Sequence, residues 1–208
     1  MKKILSTLMF LACVYSVSAV DYTWTGFASS DMNNTNNYVL TSDGVTIPGV
    51  LPGTNDLVNM DWINPEVQAY AGAGTCVASV NVNDGGGIFG GTFFGSVVVS
   101  SVGFGRISDG TFYGSVTVNN GNDTMMWGGG VLGGVFYGTI IVADAGGVWG
   151  GVIYGPVIVS GQGGLSGTRI AGGSFVNVMS LIQYDSPEMR PFNKWQHGIN
   201  GSSILGMQ

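Results

Sequence analysis

The sequence predicts an all-β solenoid, most like a single-stranded right-handed parallel β-helix of about six coils with terminal caps. Three observations carry this expectation. A nine-residue phrase is written four times, starting at Ile88, Ile107, Val131 and Val148. Each copy leads, nine residues on, into an apolar-x-apolar pair: Val97/Val99, Val116/Val118, Ile140/Val142 and Val157/Val159. Glycine crowds the same stretch, with 28 of the chain's 37 glycines between Gly85 and Gly173. A hairpin sandwich would also give short alternating strands between turns, but it does not require a constant nine-residue offset. Self-similarity near twenty residues, with β-branched pairs and glycine corners, marks a solenoid.

Residues 1–19 read as a leader: Lys2 and Lys3, an apolar run from Ile4 to Val17, and the small-residue site Val17-Ser18-Ala19. The run is shorter than the ~20 residues that span a bilayer, and Ser6 and Ser16 interrupt it. A lipid-modified Cys13 is a second reading, ranked lower because apolar residues continue past it. Export to the cell exterior or surface, or to a periplasm, is therefore expected. Past the leader, four basic residues (Arg106, Arg169, Arg190, Lys194) face twelve acidic ones, so nucleic acid and anionic membrane surfaces are excluded as partners. Cys76 is then the single cysteine, which precludes an internal disulfide. It reads as a small buried apolar residue beside Val77 and Val80, the alternative being a bridge between chains.

Residues 20–75 form an expected lead-in and cap, polar and turn-rich, with short strands near Tyr22-Thr23-Trp24 and Leu57-Val58. Trp24-Thr25-Gly26, the Asn-rich run Asp31 to Tyr38, and Pro52-Gly53-Thr54-Asn55-Asp56-Leu57-Val58 follow in that order. This order resembles the lead-in of secreted and autotransporter-passenger-type (pectin-lyase-like) parallel β-helix proteins, with Tyr38 where a Trp is more usual. The resemblance covers about forty residues and implies architecture alone. The chain has no room for a membrane barrel, so any surface attachment would come from elsewhere.

Residues 76–179 are the expected coils. The first residues of the pairs, taken as Val80, Val97, Val116, Ile140, Val157 and Val176, step by 17, 19, 24, 17 and 19 residues. Strand period two points both members of a pair inward, and coils stacked ~4.8 Å apart would line them in two columns over roughly 30 Å. Val82, Val99, Val118, Val142, Val159 and Val178 make the second column. The residues between them, Asn81, Val98, Thr117, Ile141, Ile158 and Asn177, would face outward as a half-apolar stripe. Gly95, Gly114, Gly138 and Gly155 sit where the chain must turn into the strand, at a left-handed or crowded backbone. The strict Gly-X-Y period of collagen is absent, and the aromatic and β-branched content is too large for a disordered chain. Phe93, Phe112, Phe136 and Ile153 share parity with the inward valines. Phe94, Tyr113, Tyr137 and Tyr154 come next, three of them with a hydroxyl, and are expected to stack outside. Residues 180–208 hold His197, Arg190 and Lys194 and read as a cover for the exposed strand edges, with room for one helical turn.

Little of this resembles catalysis. Asp109, Asp123 and Asp144 each adjoin a turn and could align on one side, but turn-forming Asp next to Gly or Asn is the favoured explanation. Asp123 with Asn120, Asn122 and Thr124 has no calcium-loop spacing. Pectate-lyase-type enzymes cluster Asp with Arg or Lys on one face, whereas Arg106 and Arg169 stand coils apart, and no catalytic residue of that family carries over. His197 lacks a nucleophile phrase, Gly128-Gly129-Gly130 is not followed by Lys-Ser/Thr, and an ice-binding Thr row stops after Thr92 and Thr111. No catalytic residue, metal or cofactor is thus assigned. The expected contact residues are Asn122, Asp123, Thr124 and Trp127 of the longest arc, together with Tyr113, Tyr137 and Tyr154. Two functions remain in view: a non-enzymatic structural or adhesion module, and a small polysaccharide-binding or polysaccharide-cleaving protein. Surface glycan, protein or the chain itself are the candidate partners, with no membrane insertion once the leader is removed.

Overall fold

A computed structural model describes residues 18–46, 49–61, 70–83, 85–100, 105–120, 130–144, 146–160, 164–166, 168–172, 175–178, 198–200 and 203–204. The leader residues before Ser18 lie outside this set, as do Asn122, Asp123, Thr124, Trp127 and His197. Among the described residues no helix is long and apolar enough to cross a membrane.

The chain coils into a β-solenoid. A turn supplies three short strand segments, such as Gly130–Val131, Val135–Phe136 and Ile140–Asp144, the first two being continuous as Gly87–Phe93 and Arg106–Phe112 in the turns before it. The third joins a nine-stranded sheet and the first two a twelve-stranded one. Neighbouring turns pair in parallel and in register: Val80 with Val97, Val97 with Val116, Val116 with Ile140, and Ile140 with Val157. Ile107, Val131, Val148 and Leu165 stack likewise, as do Phe93, Phe112, Phe136 and Ile153. All of these side chains are buried, so the interior is a set of vertical apolar columns. A single turn has no second layer on which to bury its inward residues, and the turns above and below supply it. The Phe93, Phe112 and Phe136 rings stack with centroids 5.1 and 5.0 Å apart, and Cys76 continues their column toward the N terminus.

The expected count of about six coils is corrected in one respect: four turns carry the phrase, and the sheets continue beyond them with other residues. Toward the N terminus the pair column runs on through Val58 to Tyr22, so Leu57–Met60 and Asp21–Trp24 already belong to the stack. The antiparallel strand Tyr38–Leu40 closes that end, with Trp24 opposite Tyr38. The Pro-Gly-x-x-Asp phrase acquires a physical role here. Asp56 accepts hydrogen bonds from the amides of Gly53 (2.7 Å) and Val20 (2.9 Å), tying the turn to the first strand.

At the other end the register differs from expectation. Val157 pairs with Phe175, not Val176, and Val159 with Asn177, not Val178. Alternation around Asn177 favours the register through Val176 and Val178, but Phe175 is apolar as well, and pairing with the neighbouring strand sets the register one residue away. Val176 thereby replaces Asn177 in the row headed by Asn81. The strands Gly198–Asn200 and Ser203–Ile204 add a further rung to the twelve-stranded sheet, beside Gly164–Ser166 and Arg169–Ile170. The expected helical turn within 180–208 falls on residues outside the described set, or on these strands, which are extended.

Candidate functional site

The eighth residue of each phrase is where the chain bends into the next strand. A Cβ built on Gly114 would fall on the carbonyl oxygen of Gly95, one on Gly138 on that of Gly114, and one on Gly155 on that of Gly138. Crowding, not left-handed backbone, reserves these sites. The left-handed requirement lies at the fourth residue instead, where φ is +95° at Gly91, +135° at Gly110, +116° at Gly134 and +97° at Gly151. Between these two glycines the strand runs for three residues, and its parity sends the middle one inward and the flanking two outward.

The result is a two-row outer face. The fifth phrase residues, Thr92, Thr111, Val135 and Val152, align in one row and are half-buried. The seventh, Phe94, Tyr113, Tyr137 and Tyr154, form a ladder with centroids 4.9, 5.0 and 5.1 Å apart and ring planes within 8°. These rings are 44–51 % exposed. Tyr113, Tyr137 and Tyr154 are therefore brought together as the parity rule expects. Asn122, Asp123, Thr124 and Trp127 lie outside the described residues.

A second exposed row escaped the sequence reading. Phe89, Leu132 and Trp149 occupy the phrase's second position and point outward. The Trp149 ring takes the space that a side chain at Gly130 or Gly147 would need, and Phe89 with Tyr70 does the same over Gly87. Arg106 lies over the Phe89 ring at 4.8 Å and over Tyr70 at 5.8 Å, a cation–π arrangement that occupies its charge locally. Three of the four copies carry a large apolar residue at that position, each two residues from a glycine, a partial signal that Ser108 interrupts.

The half-apolar stripe of the nine-stranded sheet is also present. Val98, Thr117, Ile141 and Ile158 align and are half-buried, and Asn81 donates to Asn59 at 3.2 Å where the row continues. Among the described residues acid–base groups do not gather on these faces. Asp109 accepts from the adjacent Gly110 amide, a local turn contact. Among the described residues no three His, Cys, Asp or Glu side chains converge to hold a metal. Cys76 is buried and unbridged, and burial pushes its thiol up to about 11. Comparison with protein-family models, with curated proteins and with solved structures finds no match.

Proposed function

We propose that this chain is a secreted, non-enzymatic structural or adhesion module that acts through its repeated outer faces. The observation that carries the reading is the ladder Phe94–Tyr113–Tyr137–Tyr154, four rings held half in water at one regular spacing. Rows of exposed aromatic and aliphatic side chains are costly on a surface that touches only solvent, and their ordinary use is contact. The interior beneath them is a continuous apolar column, so the rows are displayed on a rigid support. Export belongs to the same proposal and rests on the leader-like residues 1–19. Mass spectrometry of the exported chain should find a new N terminus at Val20.

The alternative is a polysaccharide-binding or polysaccharide-cleaving protein, favoured by the three tyrosine hydroxyls of the ladder and by the exposed contact of the Ser96 and Ser115 hydroxyls, which meet each other at 3.1 Å. One experiment addresses both. The purified protein is offered to a glycan panel and to cell surfaces, beside the triple variant Tyr113→Ser/Tyr137→Ser/Tyr154→Ser and the row variant Leu132→Ser/Trp149→Ser. Capture that falls at least tenfold in either variant, with the β-sheet spectrum retained, supports the module. Glycan turnover abolished by Asp123→Ala would sink the non-enzymatic reading in favour of the second.

A further inference from the structure

We propose that the ladder face docks a second copy of this chain, side by side and parallel, each ring ridge lying in the other's trough. The inference rests on the reading of the outer faces as contact surfaces and names the partner of one of them.

The face has relief. The exposed rings form a ridge, and two residues back along each strand the shorter Thr92, Thr111, Val135 and Val152 form a half-buried trough beside it. A twofold axis along the rod carries a ridge on one side of the contact to the opposite side, over the facing trough. A twofold axis across the rod would set ridge against ridge. The self-complementary arrangement is therefore the parallel one, an isologous contact.

Three further observations select a second copy over a saccharide. The rings are stacked within 8° of parallel, so their neighbours cover their flat faces and mainly edges and hydroxyls point out. A sugar ring packs on an aromatic face, which the interior of this ladder does not offer. A ridge with a 4.9–5.1 Å rise meets a matching groove in another stack of the same rise, and a second copy brings one. Finally, the two rows from Thr92 to Tyr154 hold no charged side chain, while Asp21, Asp31, Asp43, Asp56 and Asp61 lie at the N-terminal end of the stack. Two like copies can thus approach along these two rows without burying a charge, the exposed Asp109 lying two residues beyond the trough at its rim.

The face is small. Its charge-free part, Thr92 to Val152, spans four rungs, about 14 Å of length at the usual strand spacing. A patch of that length and only two rows wide falls short of the ~1,000 Å² of total burial that marks a stable interface, so the free dimer is weak and tethering side by side strengthens it.

Sedimentation velocity over a wide concentration range tests this with the full chain. A concentration-dependent monomer–dimer equilibrium is expected, tightening as salt rises because the parallel arrangement sets the acidic ends together. Tyr137→Glu on the ridge and Val152→Glu in the trough should each weaken it at least tenfold, and Thr117→Glu on the other sheet should leave it unchanged. Should Tyr137→Glu lose the β-sheet spectrum, Tyr137→Ser removes the ridge without adding charge. Spin labels on Ser42→Cys should report a short distance within the dimer, since both N-terminal ends lie together. A monomer at every concentration, a dimer indifferent to both face variants, or labels a rod length apart would each overturn the proposal. A monomer that still captures cells leaves the module reading standing, whereas a dimer that captures nothing removes that reading and keeps the contact.

Discussion

Cys76 shows how one buried residue ties stability to pH. Its thiol is raised from 9.0 to about 11, chiefly by burial, against a smaller lowering from a hydrogen bond with the Ala78 backbone. The unfolded chain loses this proton near pH 9 while the folded chain keeps it. Stability is therefore full below pH 9 and falls as pH rises toward 11, by roughly 2–3 kcal/mol. Urea titrations between pH 8 and 11 should show that loss, and Cys76→Ala should flatten it up to about pH 10, above which the buried Tyr38 hydroxyl adds its own. The native thiol should also resist alkylation at pH 8. Asn37 is the polar counterpart. It is fully buried, accepts from the amides of Ala28 (2.9 Å) and Ser29 (3.1 Å), and donates to Ser29 Oγ and the Asp31 carbonyl. Asn37→Ala would strand these groups and cost about 2–4 kcal/mol in urea unfolding. The sequence showed an Asn-rich run but not which Asn turns inward, because Asn33, Asn34, Asn36 and Asn37 are chemically alike and only the surrounding backbone singles one out.

At the scale of the turn, two glycine columns act for different reasons, and substitution separates them. Gly44, outside both columns, isolates the left-handed cost: it has φ +69° with open space around it, so Gly44→Ala costs only backbone strain, about 1 kcal/mol. Gly138→Ala would drive a methyl into the Gly114 and Tyr113 carbonyls of the neighbouring turn, which are backbone and cannot rotate away. A loss of more than about 3 kcal/mol, or failure to fold, is expected by thermal melting. The phrase announced its strands and corners through its spacing. Its two outer rows were unequally legible: the ladder followed from parity, whereas the Phe89, Leu132 and Trp149 row was hidden by the fourth copy-mate, Ser108, and by the bulge that pairs Phe89 with Asp109.

Seen whole, the molecule is a stack in which each turn contacts its two neighbours, so a complete turn should be removable. Deleting the 17 residues from Ile140 to Pro156 brings Val157 onto Val116 and Leu165 onto Val131, preserving every column. The shortened chain should unfold cooperatively with an m-value lower by roughly a tenth, in proportion to the surface lost. Deleting nine residues instead would put outward residues inside, and should leave no cooperative transition.

Composition and spacing alone determined that this chain coils, which residues line its interior, and that the aromatic ladder stands outside. A repeat states its own geometry, since the same side chain at the same interval must meet the same environment. The extent of the stack, its N-terminal closure by Tyr38–Leu40, the register at Phe175 and the inward turn of Asn37 came from the folded arrangement. These features depend on contacts between residues far apart in the chain and outside the repeat, where no periodicity records which neighbour each will meet.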